Sequence, residues 1–227
     1  LRVARFAATL PDFTVHTSTK MLLCDIVTAG ELQHLTKERV WQELYKALSQ
    51  KATWRFFDVL IESGAQHHLW PMFKDSNAYT LLQRSVEAST KPESRFASLF
   101  FGKTQTELDA FVTRYKPPKL FVELAKMVVS HARGCYTNIR HQSAHAWVDR
   151  FEYLDVWRRP ERFSAYCEVL SWLYPNADWC LFQAAASKLA DIQYAALANK
   201  ETLSGDAIKH ALHIARVNAL NVYFENG

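Results

Sequence analysis

The segment Thr36-Lys37-Glu38-Arg39-Val40-Trp41-Gln42-Glu43-Leu44-Tyr45-Lys46-Ala47-Leu48 spaces its apolar residues on a helical period. Val40, Leu44, Ala47 and Leu48 recur at i, i+4, i+7 and i+8, so they share one face of an α-helix while Lys37, Glu38 and Gln42 stay in water. Thr36 precedes them where a hydroxyl accepts the first free backbone N–H groups, and the helix is expected to begin there. The same pattern extends toward both ends of the chain. Thr17 is expected to cap a helix through Thr28 that stops at Gly30, because a residue free to take positive φ satisfies the last carbonyls. Thr53 to Glu62 repeats the scheme and ends at Gly64.

Farther on, Thr104 and Glu107 have the spacing of a capping box, in which two orphan donors are satisfied reciprocally. Pro118 opens a helix through Leu120, Leu124, Met127 and Val128 to Gly134. Another runs through Trp147, Leu154 and Trp157 and closes before Arg159-Pro160, where Pro160 suits the first turn of a following helix because its missing N–H has no partner there anyway. Two last helices are expected from Asn176 to Ala198 and from Ser204 to Asn221. The fold class is therefore all-α, an elongated bundle of about ten helices.

The 227 residues, 49% of them hydrophobic, are enough for one large core or two small ones. Six Gly and seven Pro are spread without a low-complexity tract, so no disordered linker is expected. A balance of 27 Lys+Arg against 23 Asp+Glu leaves a charge of +4, which permits a polyanionic partner without requiring one. The four cysteines, at 24, 135, 167 and 180, include no Cys-x-x-Cys pair; they read as reduced thiols of a cytoplasmic protein. No apolar run approaches the roughly 20 residues of a membrane span. The segment Leu1 to Leu10 carries two Arg and lacks the apolar core of a signal peptide. It reads instead as a helix under way with no cap before it, so the chain is expected to come from inside a longer protein.

Within that segment Leu1-Arg2-Val3-Ala4-Arg5-Phe6 resembles a string in the neck of bacterial CCA-adding tRNA nucleotidyltransferases, of the class that includes poly(A) polymerases. Glu38, Arg39 and Glu43 are similar to the second neck motif of that family, and Gly64-Ala65 followed by Leu69-Trp70-Pro71 matches it as well. Weaker similarities lie at Pro118 to His131 and Asp155 to Phe163. The resemblance implies a neck over residues 1–70, a body over 71–157 and a tRNA-binding tail over 158–227.

It also implies roles. Arg2 would face the incoming CTP or ATP, and Glu38, Arg39 and Glu43 would brace the neck helices; by spacing alone, Arg5, three residues on along the same helix, is expected to form with Arg2 a cationic ledge toward the nucleotide. The templating Asp and a first Arg are expected upstream of Leu1, as are the head carboxylates that hold Mg²⁺; the chain would then contain no catalytic residue and no metal site, and alone would add no nucleotide. Family members with a phosphohydrolase module carry a His-Asp pair after an Arg-Phe-Ala-x-Leu run. Here Arg95-Phe96-Ala97-Ser98-Leu99 continues as Phe100-Phe101, and phenylalanines ligate no cation, so the body reads as a relic of that module. Arg133, Arg140, Arg150 and Arg158 are expected to grip the acceptor stem and elbow of a tRNA by shape.

Each assignment has a plain structural alternative. Arg2 and Arg5 suit a solvated helix face, and Arg39 with Glu43 suits a surface ion pair. Arg159 and Arg162 alternate with Asp155 and Glu161 and read as structural. His141 and His145 have the spacing of a metal half-site, as do His210 and His213, and His67 adjoins His68, but no third ligand is apparent in sequence. Nothing pairs a cysteine such as Cys135 with an activating base. As whole functions, poly(A) addition and an all-helical protein-interaction module remain beside CCA addition.

Overall fold

A computed structural model describes residues 1–73, 80–85, 91–132, 142–193 and 204–225. Among these residues every regular element is a helix and none is a strand. The chain divides into two compact units, one of residues 1–133 with 168–173, the other of 134–167 with 174–227.

The first unit contains α1 (Arg2–Thr9), α2 (Thr17–Thr28), a 3-10 turn (Glu31–His34), α3 (Lys37–Leu48), α4 (Thr53–Glu62) and α5 (Ala65–Leu69), followed by a second 3-10 turn (Pro71–Phe73), helical residues 80–85, α6 (Pro92–Leu99), α7 (Gln105–Tyr115) and α8 (Lys119–His131). Thr36 caps α3 as expected, its hydroxyl accepting from the Arg39 N–H at 3.3 Å. The Thr104–Glu107 capping box is formed in both directions. Gly30 and Gly64 take φ of 77° and 75°, which a Cβ would oppose.

Two expected caps fall elsewhere. Thr17 is the first residue of α2, and the ring of His16 before it accepts from the Ser18 N–H at 3.3 Å. Thr53 lies inside α4, and its hydroxyl donates to the Gln50 carbonyl at 2.7 Å. In both cases the residue one place earlier has the extended or irregular backbone that a cap needs.

The core of this unit is aromatic. Trp41 of α3 meets Phe96 of α6 and Phe121 of α8 edge-on at 5.5 and 5.3 Å. Phe100 and Phe111 continue the set at 5.5 Å, and Trp70 packs near Phe56, Phe57, Phe73 and Tyr115. Phe100 is wholly buried, so the residue that follows the Arg-Phe-Ala-x-Leu run serves packing. Among these rings sits Arg95, only 1% exposed. Its Nη1 donates to the Leu48 and Gln50 carbonyls, each at 2.7 Å, and Glu168 supports its charge across the unit. Burial still pulls the guanidinium below its ordinary pKa.

The second unit contains α9 (Ala144–Tyr153), α11 (Trp179–Lys188) and α12 (Gly205–Glu225), together with the first half of α10 (Pro160–Leu173), whose last residues belong to the first unit. Pro160 opens α10 as expected. Helix α9 stops before Trp157 because Asp155 takes a left-handed φ of 54° and the Val156 N–H reaches back to the Phe151 carbonyl at 3.2 Å, a Schellman closure. Asp178 caps α11 by accepting from the Leu181 N–H at 2.9 Å, so that helix begins after Asn176 and ends at Lys188, short of the expected Ala198, which lies outside the described residues. Trp147, Phe151, Phe163 and Phe182 form the core. Arg216 sits 3.9 Å over the Trp157 ring and donates to Glu152 at 2.8 Å and to the Ile192 carbonyl at 3.2 Å. Among the described residues no helix is long and apolar enough to cross a membrane.

Cys24, Cys167 and Cys180 are free thiols. Burial pushes the Cys167 thiol up to about 12, against a weaker opposing hydrogen bond with Gln183. Its thiolate is therefore scarce at neutral pH in the folded protein. Two outcomes follow. Arg95→Leu, which takes the guanidinium from the buried Leu48 carbonyl and from the part-buried Gln50 carbonyl, should destabilise the protein by roughly 3 to 5 kcal/mol in urea unfolding. Peptide mass spectrometry after iodoacetamide treatment at pH 8 should find Cys180 alkylated and Cys167 untouched until denaturant is added.

Candidate nucleic-acid interface

Helix α1 buries Ala4, Ala7 and Ala8 and packs on α3 and α4. Small side chains there let the helices approach closely, which brings the arginines of α1 to the residues of α3. Arg5 Nε donates to Glu43 Oε2 at 2.8 Å, and Lys46 Nζ lies 3.8 Å from the other carboxylate oxygen. The Arg5 and Glu43 side chains are 17% and 10% exposed, so this pair is largely removed from water. The Arg5 guanidinium also lies 4.2 Å from the Phe6 ring centroid. Glu43 thus takes its partner from another helix, 38 residues away in sequence.

Arg2, by contrast, is exposed, as are Glu38 and Arg39 in the first turn of α3. Leu1 lies within electrostatic reach of both Glu43 and Arg39, so the two short motifs of the sequence meet at one junction. Its arrangement is a covered ion pair with the solvent-facing cations Arg2 and Arg39 nearby.

Beyond α1 the chain is held by Arg55 of α4. Its Nη1 donates to the Leu10 carbonyl at 3.1 Å, and the guanidinium also bonds the carbonyls of Pro11 and Phe13. The turn so anchored closes a partly open cleft of about 270 Å³ lined by Val3, Phe6, Leu10, Phe13, His16 and Thr19. Helix α2 continues this surface without burying any residue fully. Phe13, Met21 and Leu22 are 67%, 64% and 57% exposed. Sequence reading passed over this apolar surface. Its signal is present in five apolar residues within Met21 to Val27, an arc wider than one packing face can cover.

The basic residues of the second unit have varied settings. Arg150 donates to Gln142 Oε1 at 3.0 Å. Arg158 is 86% exposed, with Asp155 3.9 Å away, and Arg159 lies 3.8 Å from the same carboxylate. Arg162 donates to the Leu154 carbonyl at 2.7 Å, the structural role expected of it. Arg133, Arg140, Cys135 and His141 lie outside the described residues.

The family model described as "Probable RNA and SrmB- binding site of polymerase A" matches residues 12–76, which include α2, α3 and α4 with Arg55. The CCA-adding enzyme of Pseudomonas putida F1 is 33% identical over 98% of this chain and 62% of its own length. The chain is therefore similar to CCA-adding enzymes over nearly all of its own length. The CCA-adding enzyme of Coxiella burnetii RSA 493 is 33% identical over 75% of this chain and 46% of its own length. The chain thus spans less than two thirds of the CCA-adding enzymes it matches. A solved apo CCA-adding enzyme superposes on 97% of the chain and 54% of its own with a TM-score of 0.58, at 18% identity, a likeness of fold.

Because the Arg5–Glu43 pair is mostly covered, Arg5→Ala and Glu43→Ala should each destabilise the chain by roughly 1 to 3 kcal/mol. The double variant should recover part of that loss, with a coupling of about 1 kcal/mol or more in a double-mutant cycle followed by thermal unfolding.

Proposed function

We propose that this chain is the RNA-holding helical part of a tRNA nucleotidyltransferase that adds C, C and A to tRNA 3′ ends from CTP and ATP in the cytoplasm. The observation that carries the reading is the match of residues 12–76 to an RNA-binding family model, over a surface whose α2 has no fully buried residue. In this reading the chain grips the acceptor stem and elbow of tRNA and presents its end to a catalytic head encoded elsewhere in the parent protein.

Arg2 reaches the nucleotide from the exposed end of α1. Arg5, engaged by Glu43, holds α1 against α3 beside it, and Glu38 and Arg39 with Glu43 brace the junction. The exposed Arg158, with Arg150 and with Arg133 and Arg140, supplies contacts to phosphates, which fix position without reading sequence. The Mg²⁺ of nucleotidyl transfer requires oxygen ligands, supplied by carboxylates and phosphates. Among the described residues the one grouping of three metal-capable side chains is His145, Asp149 and His213, with a single carboxylate. That set does not fit Mg²⁺, so no step of transfer is assigned to this chain.

The description of the matching family model names polymerase A, which favours poly(A) addition as the second reading. Incorporation of CTP by the full parent protein separates the two.

The test is fluorescence anisotropy of the chain with a tRNA lacking its CCA end and with an unstructured RNA of equal length, at two salt concentrations. The reading expects a preference for tRNA that survives the higher salt, with a log–log salt slope of only a few units. Equal, weak binding to both RNAs overturns it in favour of a protein-interaction module. In a parallel assay the chain with tRNA, CTP, ATP and Mg²⁺ should incorporate no nucleotide, and incorporation would overturn the assignment of catalysis to another part of the parent.

A further inference from the structure

Two histidines 68 residues apart meet in the second unit, where α9 and α12 pack together. His145 of α9 is exposed, and the His213 side chain of α12 is 14% exposed. Each ring is held at Nδ1 by a carboxylate. Asp149 Oδ2 lies 3.3 Å from Nδ1 of His145, and Glu152 Oε2 lies 2.9 Å from Nδ1 of His213, with Asp149 Oδ1 at 3.9 Å as well. Glu152 is itself fixed by Arg216, whose Nη1 donates to its other oxygen at 2.8 Å.

Ionised carboxylates only accept hydrogen bonds, so this arrangement puts the ring protons on Nδ1 and leaves a lone pair on each Nε2. Those two Nε2 atoms face each other at 3.2 Å. Lone pairs so placed repel unless a cation stands between them. Zn–N bonds of about 2.0 to 2.1 Å in a tetrahedral shell set two imidazole nitrogens roughly 3.3 to 3.4 Å apart. The separation found here is close to that value, and Nδ1 bound to a carboxylate is the usual way a metal-ligating imidazole is oriented.

We propose that His145 and His213 bind a borderline divalent transition cation of the Zn²⁺ class through their Nε2 atoms. Asp149 and Glu152 orient the rings, and solvent completes the shell. Asp149 lies close enough to join it, since its carboxylate and both rings offer ligand atoms within 4.8 Å of one another. Imidazole nitrogen suits this class of ion, whereas Mg²⁺ and Ca²⁺ prefer oxygen. Bound in this way, the ion pins α12 to α9 and so fixes the last helix of the chain.

The test titrates the untagged chain with zinc chloride by isothermal calorimetry, and with Co²⁺ read by visible absorption. One ion per chain is expected, with a rise in Tm on adding Zn²⁺. Because His145 is exposed, His145→Ala should leave the metal-free Tm unchanged while weakening binding at least tenfold and abolishing the Tm rise. Asp149→Asn should weaken binding roughly 10- to 100-fold. His210→Ala and His68→Ala should bind as the unaltered chain does. Absence of stoichiometric binding, or binding undiminished in His145→Ala, would overturn the proposal and leave a proton between the two rings.

Discussion

The packing of the first unit depends on a guanidinium buried where few charges are tolerated. Arg95 is 1% exposed, and taking its charge out of water is costly unless acceptors offset the loss. The acceptors are carbonyls at the end of α3 and in the turn to α4, groups that a helix terminus leaves without intrahelical partners. Through Nη1 the charge and these carbonyls therefore compensate each other in part. Because the same arginine sits on α6 between Ser94, which bonds Glu168, and Phe96, which meets Trp41 and Phe121 edge-on, one residue ties the end of α3 to α6 and the aromatic core.

A second arginine has a comparable place in the other unit. Arg216 lies over Trp157, donates to Glu152 and reaches the Ile192 carbonyl, so a single side chain of α12 contacts three other parts of its unit. Its salt bridge also sets the Glu152 carboxylate that orients His213. Many of the basic residues in this chain are thus internal fasteners. Counting arginines as an RNA-binding surface overstates that surface, since Arg5, Arg55, Arg95, Arg162 and Arg216 are all engaged with the protein.

Some of the solvent-facing cations are informative for that reason. Arg2 and Arg39 lie by the covered Arg5–Glu43 pair, and Arg158 stands at the Schellman turn after α9. In the first unit, the region matched to an RNA-binding family keeps Phe13, Met21 and Leu22 in solvent. An apolar surface left in solvent suits contact with a partner better than contact with water alone.

How much of this was legible beforehand follows the range of the interactions. Helices, the Thr36 cap, the Thr104–Glu107 box and the stops at Gly30 and Gly64 depend on residues within a turn or two of one another, so spacing and residue type sufficed. The likeness to CCA-adding enzymes was legible in the same short strings. The cap by His16 and the left-handed turn at Asp155 were missed because residue preferences favour a threonine cap and a glycine stop, and local geometry overrode both. Which arginine is a fastener and which faces solvent, the partner of Glu43, and the meeting of His145 with His213 were settled only by tertiary structure. The Arg5–Glu43 pair and the two histidines lie 38 and 68 residues apart, and such groups come to hydrogen-bonding distance only when their helices pack.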